Sequence, residues 1–247
     1  MTLHLISIGL FEKEDMSIRA VETAKKCDKV YLEVYTNYYK NSADEIADFL
    51  GKNVKETTRQ ELENGSKKIV EEAMKMEVGI LVVGDALSAT THNVLVLECI
   101  EKGVKYDVVH GSSIFTAVAE SGLSLYKFGN VTSIPFENEN IETPYDVLKT
   151  NGGMHTLVLL DLKDGRYMET KDAIKYFLRV ESKRKENVFN DDRLCVVFFS
   201  IGSEEKEIYA GNAEELLKVE SGKKPQCFVV PGKLNFIEEE FLNNFRA

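Results

Sequence analysis

A two-lobed α/β fold, with a mostly parallel sheet in the N-terminal lobe and a mixed sheet in the C-terminal lobe, is predicted by three observations. Short β-branched runs alternate with helical periodicity through the first half, the pattern of successive βα units. Beyond residue 131 the apolar runs lengthen and isolated helices separate them, which fits a mixed sheet. A chain of 247 residues, 43% hydrophobic and 29% charged, has ordinary globular composition and is long enough for two small cores.

Residues 3–10 read as the first strand. Ser17 caps a helix that carries Ile18, Val21 and Ala24 on one face, and residues 29–35 return to an extended pattern. Ser42-Ala43-Asp44-Glu45 is a capping box that opens a helix closed by Gly51. A polar helix over residues 60–76 has Ile69, Ala73 and Met76 at helical spacing. It leads into Val78-Gly79-Ile80-Leu81-Val82-Val83, short and apolar enough to be a buried central strand, which ends at Gly84-Asp85. Residues 94–102 read as helix, 104–110 as strand, and His110-Gly111-Ser112-Ser113 as a sharp turn into another helix. The boundary falls there, giving an N-terminal α/β domain over 1–111 and a C-terminal α/β domain over 112–247. In the second, 156–162, 194–201 and 227–230 read as strands, 170–181 and 212–217 as helices, and Glu137-Asn138-Glu139-Asn140 as a loop.

Charge and composition exclude several classes of function. Thirty-one basic against 41 acidic residues leave a net charge of −10, so no basic field drives binding to a phosphate backbone. Direct nucleic-acid binding is not expected. Cys27, Cys99, Cys195 and Cys227 stand far apart without CxxC or Cys/His spacing, which points to reduced thiols in the cytoplasm and to no metal site. No apolar run reaches the length of a membrane helix and no signal sequence opens the chain. Phosphate-loop, HExxH, GxSxG and complete GxGxxG motifs are all missing, which removes standard ATPases, zincins and serine hydrolases.

Two strand-end turns remain, Gly84-Asp85-Ala86-Leu87-Ser88-Ala89-Thr90-Thr91-His92 and His110-Gly111-Ser112-Ser113-Ile114. Open α/β sheets place ligands at the carboxyl ends of their parallel strands, and small residues there let the backbone approach a ligand closely. Asp85 and the hydroxyls can bind a ribose or an amine. Plain structural roles compete. Gly-Asp after a strand also serves an ordinary turn, and His92 near a helix start reads as a cap or a solvated side chain. His110, closing an apolar strand, reads as a hydrogen-bonded, semi-buried side chain rather than a base.

Leu5-Ile6-Ser7-Ile8-Gly9-Leu10, Cys27 through Glu33, the Gly84 to His92 turn, the His110 to Ile114 turn, Tyr126-Lys127-Phe128-Gly129 and Met154-His155-Thr156-Leu157 together resemble the diphthine synthase family. The resemblance spans essentially the whole chain. That family lies within the tetrapyrrole-methylase-like, class III S-adenosylmethionine-dependent methyltransferases. The resemblance implies a homodimer that holds S-adenosylmethionine in the cleft between its lobes and releases S-adenosylhomocysteine. It also implies the substrate: the 3-carboxy-3-aminopropyl-histidine of translation elongation factor 2, methylated on its amine to diphthine, with eukaryotic members also forming the methyl ester. Carried over by position, the cofactor contacts fall on Leu10, Asp85, Ser88, Ser113, Ile114, Leu160, Val197 and Cys227.

The sequence departs from the family pattern at four of its positions. Ser7 stands where the first glycine is usual, Ala86 where GDP has proline, Val197 where glycine is common and Cys227 where histidine is usual. A methyl-transfer site needs alignment more than a nucleophilic side chain, yet an ammonium must lose a proton before it attacks, and no spacing singles out the acceptor. Two other readings stand beside this one: a tetrapyrrole-precursor methyltransferase of the same fold, and a non-catalytic S-adenosylmethionine-binding regulatory protein.

Overall fold

The computed structural model describes residues 1–163 and 165–246, which fall into two compact units, Met1–Ile114 and Phe115–Ala247. In the first, strands and helices alternate as β1 (Thr2–Ser7), α1 (Ile18–Lys26), β2 (Lys29–Glu33), α2 (Ala43–Leu50), β3 (Val54–Thr57), α3 (Ser66–Ala73), β4 (Val78–Val82), α4 (Asn93–Lys102) and β5 (Lys105–Val109). The short helix α5 (Ile114–Ala117) follows. Every strand pair in this sheet is parallel, in the order β3-β2-β4-β1-β5.

Side-chain alternation sorts this sheet into two cores. Ile6, Leu81 and Val109 face the apolar sides of α1 and α2, whereas Leu3, Leu5, Ile80 and Val82 face α3 and α4. Local sequence fixes the helix ends. The Ser17 hydroxyl accepts from the Ala20 N–H at 3.1 Å, Ser42 and Glu45 form the capping box, and Gly51 closes α2 in the left-handed conformation.

Three sequence expectations are corrected here. The first strand stops at Ser7 rather than residue 10, because Gly9 turns the chain at φ +87°. The second stops at Glu33, whose buried carboxylate accepts from the N–H groups of Tyr35 and Thr36, both at 2.7 Å. The single helix expected over 60–76 is a π-helical turn, Gln60–Asn64, followed by α3. Gly65 allows the junction, since a Cβ there would stand 2.5 Å from the Glu61 carbonyl oxygen.

The second unit contains β6 (Thr132–Ile134), α6 (Thr143–Asn151), β7 (Thr156–Leu160), the hairpin β8 (Leu162–Lys163) and β9 (Arg166–Tyr167), and α7 (Thr170–Arg184). It continues with β10 (Leu194–Phe199), β11 (Glu207–Asn212), α8 (Ala213–Leu216), β12 (Gln226–Val230) and α9 (Phe236–Leu242). Its sheet runs β11-β10-β12-β7-β6, antiparallel except for the parallel β6 and β7 pair, so it is mixed as expected. On one face Val158, Val197, Phe199 and Phe228 pack against α6, α7 and α8, with Phe177 and Phe189 stacked at 5.0 Å between ring centres. The sequence expectations omitted β3, β6, the β8/β9 hairpin, β11, α6 and α9.

Candidate functional site

The topology of the N-terminal sheet creates a natural ligand position. From β1 the chain crosses by α1 on one face to β2, and from β4 it crosses by α4 on the other face to β5. The carboxyl ends of the adjacent strands β1 and β4 are therefore where the connections diverge, the switch point at which open α/β sheets bind ligands. At that point Gly84 donates its N–H to the Gly9 carbonyl at 2.7 Å. Gly84 has φ +77°, and a Cβ placed on it would meet open space, so its backbone is left uncovered on that side.

Asp85 fastens the two strand-end turns together. Its Oδ1 accepts from the Leu87 N–H and the Ser88 hydroxyl, both at 3.1 Å. Its Oδ2 pairs with His110 Nδ1 at 2.8 Å and accepts from the Gly111 N–H at 3.3 Å. Burial pushes this carboxyl upward, but the bonds from His110, Leu87, Gly111 and Ser88 outweigh it and hold it below the ordinary carboxylate range. With about four lone-pair sites engaged, the carboxylate has little capacity left for a ligand hydroxyl. Its role is to hold the loop.

Two departures from the family pattern prove to be one interaction. The Ala86 N–H donates to the Ser7 hydroxyl at 2.9 Å, with both residues buried. A proline at 86 would have no N–H, and a glycine at 7 would have no hydroxyl. Here the donor and its acceptor are both present, so no buried backbone group is orphaned. Gly111 packs on the same spot, where a Cβ would fall 2.7 Å from Ser7 Cβ.

The histidines differ from their sequence expectations. His92 is 2% exposed, so it is not a solvated side chain, and although it occupies the cap position of α4 its ring makes no cap bond. His110 is hydrogen-bonded as expected but not semi-buried: its side chain is 71% exposed. The strand ends one residue before it, which carries the ring out of the sheet while Asp85 holds its Nδ1 edge.

Asp85 and Ser88 are thus in direct contact, and Gly111 joins their turn to the one containing Ser113 and Ile114. Leu10 follows Gly9, the residue that Gly84 contacts. Ser113 is buried and Ile114 opens α5. The other three candidates lie on neighbouring strands of the C-terminal sheet: Leu160 ends β7, Val197 is central in β10, and Cys227 is in β12. Val197 pairs with Phe228 and faces the helix-covered core, as does Leu160, whereas Cys227 pairs with Phe198 on the opposite face. Burial pushes the Cys227 thiol well above its ordinary value, so it stays a neutral thiol. Sequence reasoning missed Glu33, a buried acid at the same edge of the N-terminal sheet. Its signal was an acid directly after the apolar run Val30-Tyr31-Leu32.

Residues 2–217 match the profile of the tetrapyrrole (corrin/porphyrin) methylases. The chain is 37% identical to the diphthine synthase of Methanocaldococcus jannaschii over 249 residues, covering 97% of each. It is 34% identical to the diphthine methyl ester synthase of Dictyostelium discoideum, covering 100% of this chain and 99% of that one. A crystal structure of diphthine synthase superimposes with a TM-score of 0.92 at 34% identity, covering 100% of this chain and 96% of that one.

Proposed function

Because the chain belongs to the diphthine synthase branch of the tetrapyrrole (corrin/porphyrin) methylases, we propose that it methylates the 3-carboxy-3-aminopropyl-histidine of translation elongation factor 2, using S-adenosylmethionine. The observation that carries this reading is the pair of strand-end turns at the β1/β4 switch point, fastened by Asp85. On this reading it acts as a homodimer in the cytoplasm, beside the factor it modifies.

The residues fit such a methyl donor. Gly84 leaves open space where a side chain would stand, and Ser88 and Ser113 bring hydroxyls to the two turns. Leu10, Asp85, Ser88, Ser113 and Ile114 are the proposed N-terminal contacts, and Leu160, Val197 and Cys227 the C-terminal ones. Val197 and Cys227 project from opposite sheet faces, so at least one of them serves through its backbone. Asp85 serves by holding the turns in shape rather than by offering a free carboxylate.

When bound, S-adenosylmethionine supplies a methyl group already activated on a sulfonium. The protein's task is then proximity and alignment, effects that can be worth roughly 7 to 11 kcal/mol. The experiment is methyl transfer to elongation factor 2 carrying the unmethylated 3-carboxy-3-aminopropyl-histidine, with added methyl groups counted by mass. Stepwise addition on that residue is expected. Methylation of a porphyrinoid instead, or cofactor binding with no transfer, would refute the reading.

A further inference from the structure

We propose that His110, oriented by Asp85, is the proton acceptor that frees the substrate amine before each methyl transfer. The inference rests on the methyltransferase reading above and names the residue that amine chemistry requires. An aminopropyl ammonium is mostly protonated at neutral pH and has no lone pair to attack with.

The geometry carries the assignment. Ionised carboxylates only accept hydrogen bonds, so the 2.8 Å contact to Asp85 Oδ2 places the proton of neutral His110 on Nδ1. That leaves the Nε2 lone pair directed away from Asp85, on a side chain that is 71% exposed. Asp85 is the charged group paired with the ring among the described residues, and the neighbouring β1 end offers the neutral Ser7. His110 belongs to the same two turns that contribute Asp85, Ser88, Ser113 and Ile114, so a base here stands among the proposed cofactor contacts. Imidazole is the side chain most often used for general acid–base catalysis.

The step balances. Nε2 takes one N–H proton from the ammonium, the freed lone pair forms the N–C bond to the methyl carbon, and the C–S pair stays on sulfur as a thioether. The exposed imidazolium then returns its proton to water before the next round. Three amine methylations need three such cycles. A carboxylate needs none, because it is already an anion.

The test compares wild type with His110→Gln and Asp85→Asn. In the protein alone, nitrogen-detected NMR is expected to show the Nδ1–H tautomer of His110 in wild type, shifting toward Nε2–H in Asp85→Asn. S-adenosylmethionine affinity of His110→Gln, measured by calorimetry, sets a saturating cofactor concentration, so that any weakening from the altered Asp85 contact does not enter the rate. Single-turnover amine methylation by that variant should fall about 100-fold at neutral pH. It should recover toward wild type at high pH, where the substrate amine is free without help. Wild-type rates for His110→Gln at neutral pH, a deficit that does not recover with pH, or a resident Nε2–H tautomer would each overturn the assignment. A wild-type protein that fails to methylate elongation factor 2 would instead defeat the functional reading on which it rests.

Discussion

Ser7→Ala tests whether one side-chain oxygen holds the candidate site together. The substitution keeps Cβ, and with it the packing against Gly111, and removes only the acceptor of the Ala86 N–H. Ser7 is 1% exposed and Ala86 fully buried, so water cannot replace the lost bond. Leaving a buried N–H unpaired costs about 1–3 kcal/mol. For a chain of this size that is roughly 2–12 °C in thermal midpoint. The assay is thermal unfolding by circular dichroism together with hydrogen exchange, in which the Ala86 amide should lose its protection. An Ala86→Pro background has no N–H at that position, so Ser7→Ala should cost less there than in wild type. An unchanged midpoint with an unchanged Ala86 amide, or an equal cost in both backgrounds, would refute the pairing.

Glu238→Gln should be costly in the second unit. Its buried carboxylate accepts from the N–H groups of Asn235 at 2.9 Å and Ser124 at 3.0 Å, pairs with the Lys127 ammonium and meets His155 Nε2 at 3.2 Å. Burial pushes this carboxyl upward, but Lys127 and the two N–H groups prevail and hold it well below the ordinary range. A depressed folded value gives stability above the unfolded value of about 4.3 that is lost as pH falls below it. Urea titration should therefore show a deficit of about 3 kcal/mol near neutral pH that shrinks below about pH 4. Gly111→Ala forces a Cβ to 2.7 Å from Ser7 Cβ, so a loss of about 1–3 kcal/mol and weaker S-adenosylmethionine binding by calorimetry are expected. Ser17→Ala removes the cap of α1 and should cost about 1 kcal/mol in the same urea titration, leaving cofactor affinity unchanged. All four thiols are buried, and burial pushes those of Cys27 and Cys99 up to about 11, so native protein should react with a thiol reagent far more slowly than unfolded protein.

What the sequence alone determined is what short-range physics controls. Apolar runs at strand length, the Ser17 and Ser42 caps and the glycine stop at Gly51 set the parallel N-terminal sheet and its helices, because each signal is complete within a few residues. The two strand-end turns and their small residues were visible for the same reason. The strands β3, β6 and β11 and the helices α6 and α9 were not: pairing partners and buried faces far along the chain stabilise them, and local composition does not record those. The site's working parts depend on still longer connections. Ser7 meets Ala86 across 79 residues, and Asp85 reaches His110 across 25. Read along the chain, Ser7 and Ala86 are two unrelated departures and His110 is the end of an apolar strand. Only parallel pairing, which brings the ends of β1, β4 and β5 to one edge, converts the departures into a single hydrogen bond and turns the histidine outward with its carboxylate behind it.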